Sequence, residues 1–192
     1  FGGMYWNENE MKTDIINSSI LKDTSIKDSF GRTFNYLRFA VNEECNLRCI
    51  YCMPEKGVPF QEKARLLDKN EICRIIKIMS DLGVSKIRFT GGEPLLRKDL
   101  IDLIKYTYQK TDISSIYLTT NGVLLPRNIN QLVEAGLDGI NISLDTLNKE
   151  KFKKITRREE LEKVLEGLDL ALSSGIKSIK VNIVAMRNFN DD

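Results

Sequence analysis

Three cysteines fall within eight residues, Cys45-Asn-Leu-Arg-Cys49-Ile-Tyr-Cys52, in a C-x3-C-x2-C spacing. Thiolates are soft ligands that suit iron–sulfur clusters or zinc. A cubane cluster ordinarily takes four cysteines, one per iron. Three leave one iron without a protein ligand, and an open coordination position is where metal chemistry takes place. Structural zinc wants four closed ligands, usually cysteine and histidine, and the chain contains no histidine. A zinc knuckle or a disulfide therefore stands behind an open three-cysteine cluster. The fourth cysteine, Cys73, sits between apolar neighbours in a helical run and reads as a small hydrophobe.

Gly91-Gly-Glu-Pro94 is the second chemical stretch. Two glycines permit unusual dihedrals and close approach of a ligand, and Glu93 can accept from an ammonium group. Alone, the stretch is a tight turn ahead of a helix, with Pro94 near the first turn. Beside the cysteine loop it reads as a ligand contact.

Composition narrows the chemistry further. The absence of histidine removes histidine bases and Ser-His-Asp arrangements. The 192 residues are 42% hydrophobic, ample for one core, and their net charge is +2. That balance gives no argument for nucleic acid or for an anionic membrane as partner. No apolar run approaches the ~20 residues of a membrane span. The N-terminus lacks the pattern of a signal peptide. Few cysteines, clustered as ligands, fit a reducing cytoplasm.

The elements that must position these residues are legible as a repeat. Residues 1–25 are polar, without a strong period, and read as an N-terminal extension or poorly ordered arm. Strands follow from alternation and β-propensity at 36–41, 85–90, 115–120, 138–144 and 178–184. Helical periods cover about 68–82, 98–109, 128–135, 149–155 and 158–173. Asp68 is a candidate N-cap with Glu71 three residues on, and Pro54, Gly57 and Pro59 keep the cysteine loop irregular. Strand-then-helix repetition implies an α/β fold with a parallel sheet.

Strand faces indicate which parallel sheet. One face carries Leu37, Phe39, Val41, Ile87, Phe89, Ile116, Leu118, Ile140, Ile142, Leu144, Ile179, Val181 and Ile183, and should meet helices. The other carries Arg38, Arg88, Thr90, Tyr117, Thr119, Asn121, Asn141, Ser143, Lys180 and Asn182. A sheet covered on both sides would be apolar on both. One polar face argues for a barrel or open barrel with a hydrated lumen, with chemistry at the C-terminal ends of the strands. Arg38, Arg88 and Lys180 would then be three buried cations sharing that lumen, suited to a polyphosphate or another polyanion.

The cysteine spacing, with aromatic Tyr51 just before the last cysteine, resembles the signature of the radical S-adenosylmethionine (radical SAM) enzymes, and Gly91-Gly-Glu-Pro94 resembles their glycine motif. The resemblance implies a partial TIM-type (β/α)6 open barrel, a [4Fe-4S] cluster on Cys45, Cys49 and Cys52, and SAM chelating the open iron. A closer likeness is to the GTP 3′,8-cyclase family. It is carried by Asp28-Ser-Phe-Gly-Arg32, Tyr36-Leu-Arg38, the run Ile87 to Leu100, Thr119-Thr-Asn-Gly122 and Asn141-Ile-Ser-Leu-Asp145.

That likeness implies reductive SAM cleavage, 3′-hydrogen abstraction from GTP and cyclisation, the first step of molybdenum cofactor biosynthesis. It implies SAM contacts from Tyr51, Gly91, Gly92, Glu93 and Ser143, and GTP contacts from Arg38, Arg88, Thr119 and Lys180. It further implies an electron donor such as flavodoxin or ferredoxin, a partner enzyme making cyclic pyranopterin monophosphate, and leaves a homodimer open. The chain departs from the family at Ala40 and Asn42-Glu-Glu44. It is also shorter, so residues 26–192 read as the radical SAM core domain of a longer protein, without the region that carries a second [4Fe-4S] cluster. Alternatives are a radical SAM enzyme acting on another substrate, such as a peptide, and a structural zinc domain.

Overall fold

Alternation and helical periodicity resolve into ten elements: β1 (Tyr36–Ala40), α1 (Lys69–Asp81), β2 (Lys86–Thr90), α2 (Leu100–Lys110), β3 (Ser115–Thr120), α3 (Leu125–Glu134), β4 (Gly139–Ser143), α4 (Lys149–Thr156), α5 (Leu161–Ser173) and β5 (Ser178–Asn182). The computed structural model describes residues 25–57 and 66–191. The N-terminal extension up to residue 24 and the expectation for Pro59 lie outside the described residues.

All five strands are parallel, and their order across the sheet is their order in the chain. A doubly wound sheet reverses direction at a switch point. This sheet has none and forms an open barrel wall. Register aligns the two faces as the sequence predicts. Leu37, Ile87 and Ile116 form one apolar row, and Leu118, Ile140 and Ile179 continue the same face. Arg38, Arg88 and Tyr117 form a polar row opposite.

The core lies between the apolar face and the helices. Ile87, Phe89, Leu118, Ile140 and Ile142 are fully buried there, each contributing about 1.5–3 kcal/mol of transfer free energy. The start of α1 is fixed as its sequence implies: Asp68 accepts from the Glu71 amide, and the Glu71 side chain accepts from the Asp68 amide.

Three expectations need correction. Helix α3 begins at Leu125 rather than residue 128, because Pro126 is tolerated in a first turn where no amide donor is needed. Pro94–Leu96 form a separate 3-10 turn, so α2 starts only at Leu100. At β5 the apolar face is not covered: Val181 and Ile183 are 43% and 61% exposed. They border an open cavity of about 500 Å³, with Leu144, Leu147 and Leu168. Among the described residues no helix follows β5, so that edge has no layer over it.

Candidate functional site

The cysteine loop leaves the C-terminal end of β1 and is held almost wholly through its backbone. Arg48 and Ile50 amides donate to the carbonyls of Thr156 and Ile155 at the end of α4, each at 2.9 Å. The Cys52 and Met53 amides both donate to the Cys49 carbonyl, closing a tight turn. The Arg48 guanidinium donates to the Cys45 and Leu47 carbonyls. That of Arg157 donates to the Arg48 carbonyl at 2.8 Å and the Met53 carbonyl at 3.2 Å.

The sulfurs are left available. All three thiols are free; Cys45 and Cys49 are half-buried and Cys52 is exposed. Cys45 Sγ accepts from the Leu47 amide at 3.4 Å and lies 3.8 Å from Asn121 Nδ2. Burial raises the Cys45 thiol and pushes Cys49 up to about 11, so these thiols are protonated near neutrality and metal binding must displace protons. Among the described residues, no three or more His, Cys, Asp or Glu side chains are gathered around a point where one ion would sit. A cluster places each thiolate on a different iron, and three accessible soft donors on one short loop fit that donor set.

The glycine loop after β2 carries Glu93. Its side chain is fully buried. One carboxylate oxygen accepts from the Thr120 hydroxyl at 2.7 Å and the Leu95 amide at 3.1 Å; the other accepts from the Asn121 amide at 2.7 Å. Burial holds the carboxyl above the usual carboxylate range. Glu93 therefore joins the end of β2 to the end of β3, with both carboxylate oxygens engaged by the protein. The glycines permit a close approach of protein backbone. A Cβ on Gly91 would lie 2.4 Å from Asn42 Oδ1, and one on Gly92 would lie 2.2 Å from the Glu44 carbonyl oxygen. Asn42 returns the contact by donating to the Glu93 carbonyl at 2.8 Å. Gly92 is exposed, so its backbone remains open to a ligand.

Tyr51 is drawn to the far side of the same sheet end. Its hydroxyl donates to Asp145 at 2.6 Å, and Asp145 also accepts from the Val184 amide at 2.8 Å. Burial and the neighbouring carboxylate raise the Tyr51 phenol. Ser143 ends β4 on the polar face, half-buried and paired in register with Asn182.

Only one of the three expected lumen cations is buried. Arg88 is nine-tenths buried. It donates to the Tyr36 hydroxyl at 2.8 Å and to the Thr119 hydroxyl at 3.3 Å, and lies over the Tyr117 ring at 5.0 Å. Arg38 on β1 and Lys180 on β5 are exposed, because these are the two edge strands and neither has a neighbour on its outer side.

Sequence reasoning missed the residues that connect these parts. Asn121 was assigned only to the polar face, yet its Nδ2 meets both Asn46 at 2.7 Å and the Cys45 sulfur. Asp145 and Arg157 had no assigned role. Asn121 could have been found from alternation alone, as the residue two beyond Thr119 on one strand face. Arg157 lies 109 positions from Arg48, and no local pattern connects them.

Comparison with known proteins gives a consistent result. The Radical SAM superfamily profile matches residues 40–192. Molybdenum cofactor biosynthesis protein 1 of Drosophila melanogaster is 48% identical over 89% of this chain and 30% of its own length. GTP 3′,8-cyclase of Petrotoga mobilis is 45% identical over 86% of this chain and 51% of its own length. The chain thus spans about a third to a half of these relatives. Among solved structures, Streptococcus suis SuiB bound to precursor peptide SuiA aligns with a TM-score of 0.66 at 19% identity, covering 80% of this chain and 34% of that one. HydG, a maturase of the [FeFe]-hydrogenase, aligns at 0.62 and 16%, over 81% and 36%. Identities this low bear on the fold alone.

Proposed function

The chain belongs to the radical SAM superfamily, and from that premise we propose that it forms the cluster- and nucleotide-binding part of a GTP 3′,8-cyclase. The observation that carries this reading is at the C-terminal end of β3. Asn121 holds Cys45, and Thr119, two residues earlier on the same face, holds Arg88. Residues two apart on a strand are about 7 Å apart. The cysteine loop and the buried cation are thereby tied to one strand end within a short reach of each other.

In this reading Cys45, Cys49 and Cys52 hold a [4Fe-4S] cluster, and the backbone of Gly91 and Gly92, with Tyr51 and Ser143, receives SAM. When bound, the cluster and SAM would supply the radical chemistry for hydrogen abstraction from the GTP ribose. The protein's part is binding, orientation and exclusion of water. Among the described residues no carboxylate pairs with Arg88, which meets Tyr36, Thr119 and Tyr117 instead, so its charge is available to phosphate. Thr119 orients that guanidinium, and Arg38 and Lys180 bring two further cations from the sheet edges. The Asp145 bond fixes the Tyr51 ring beside Cys52. A flavodoxin- or ferredoxin-type donor and an enzyme that takes the cyclic product onward complete the reading.

The test is 5′-deoxyadenosine formation by the full-length, anaerobically reconstituted protein. It should depend on GTP and not on ATP or peptide. Arg88→Ala should weaken GTP binding about tenfold or more, as expected for a lost charge-assisted bond, and leave SAM binding unchanged. Formation indifferent to nucleotide would remove the GTP assignment and leave the superfamily chemistry with another substrate.

A further inference from the structure

Helix α4 ends on a residue in an uncommon conformation. Arg157 has φ 56° and ψ 27° at the C-terminal cap, with its amide donating to the Lys153 carbonyl. The left-handed region is the ordinary place of glycine or asparagine at a helix end, because they avoid the clash that a Cβ makes there. Arginine gains nothing locally from this position. A strained residue persists when the surrounding structure makes use of it.

The use is visible in what its side chain reaches. The guanidinium of Arg157 donates from one nitrogen to the carbonyls of Arg48 and Met53. One carbonyl immediately precedes Cys49 and the other immediately follows Cys52. The donor therefore brackets the Cys49–Cys52 turn at both ends. The neighbouring backbone reinforces it: Arg48 and Ile50 are bonded to the two residues of α4 just before Arg157. Arg48 then passes the restraint on by donating to the Cys45 and Leu47 carbonyls.

We propose that Arg157 is the positioning residue of the cysteine loop, a clasp that holds two of the three sulfurs in place before any metal arrives. A glycine in its place would relieve the helix end and release the loop. Placement of the loop and stability of the fold thus make opposite demands on this position, and the chain satisfies the first. The proposal rests on the reading of the three cysteines as cluster ligands only for its effect on iron. The clasp itself is testable without metal.

The first experiment follows alkylation of each cysteine in the metal-free, full-length protein by mass spectrometry. In Arg157→Gly and Arg157→Gln, Cys49 should be labelled about tenfold faster than in the parent, the loss of one local restraint. Cys73, on α1 and remote from the clasp, should be labelled at the parent rate and so reports any general opening. Arg157→Lys, which keeps a donor that can reach one carbonyl, should recover part of the protection. Parent-like labelling of Cys49 in the Gly and Gln variants would overturn the proposal. So would equal acceleration at Cys49 and Cys73, which would make Arg157 a residue of general stability.

The second experiment loads the same proteins with iron and sulfide and times release to a chelator. Release should be faster in the Gly and Gln variants, in the order of the labelling rates. If the parent retains no cluster while the labelling pattern holds, the cluster reading fails and the clasp stands.

Discussion

The loops that follow β1 and β2 lie against one another at the same end of the sheet, and they are held by opposite means. The glycine loop is anchored by side chains: the Glu93 carboxylate is consumed by Thr120, Asn121 and Leu95. Arg97 likewise binds Asp99 and the carbonyls of Val41 and Leu67. The cysteine loop is anchored by its backbone, through Thr156, Ile155, Arg48 and Arg157, and its sulfurs take at most long contacts, such as those of Cys45 with Leu47 and Asn121. A residue capable of chemistry can thus be committed to architecture or kept out of it. Its type does not say which; its hydrogen-bond partners do.

This contrast can be broken by substitution. The largest effect belongs to Glu93→Ala, which strands the buried Thr120 hydroxyl and the half-buried Leu95 and Asn121 amides. Urea unfolding of the metal-free protein should show a loss of about 4 kcal/mol, from donors that each cost 1–3 kcal/mol when unsatisfied. A loss below 1 kcal/mol would mean that Glu93 is not the tie between β2 and β3. Gly92→Ala comes next. Its Cβ would meet the Glu44 carbonyl oxygen and force the two loops apart, at about 2–3 kcal/mol. The same unfolding assay measures it, and an unchanged midpoint would deny the close packing of the loops. Cys52→Ser should move the midpoint by less than about 0.5 kcal/mol, since the side chain is exposed and unbonded. It should nevertheless abolish retention of iron and sulfide after reconstitution. A variant that keeps a full cluster would separate Cys52 from the metal.

The smallest effect sharpens the contrast through pH. Burial raises the Glu93 carboxyl above its usual value, so the folded state binds that proton more tightly than the unfolded state. Its contribution is full below the unfolded value and is lost as pH rises through the folded one. Subtracting the unfolding free energy of Glu93→Gln from that of the parent at each pH should give a difference that falls with rising pH. A difference that rises would mean that the three donors outweigh burial.

The sequence was most informative where structure is local or periodic. Alternation assigned the correct face to Ile87, Arg88, Thr119 and Asn141, and the Asp68/Glu71 pair marked the start of α1. It was least informative where a residue's meaning depends on its neighbours across the sheet. Lys180 shares the polar face with Arg88, but its exposure follows from β5 being an edge, and strand order is not written in the strand. The buried role of Glu93 depends on β3 residues 27 and 28 positions away. The cysteine spacing singled out the candidate ligands. The residues that support that loop, Asn121, Asp145 and Arg157, lie just beyond the ends of three different elements.

Strand order has a consequence for how the chain is made. Among the described residues, each strand from β2 onward pairs with the one synthesised just before it, so its partner is already in place when it emerges. The sheet can grow at one end as the polypeptide emerges, adding a strand and its covering helix in turn, and most loop closures stay short and fast. The cysteine loop is the exception, since its anchors at Ile155, Thr156 and Arg157 lie about a hundred residues downstream. It is translated before its anchors and fastened only once they follow.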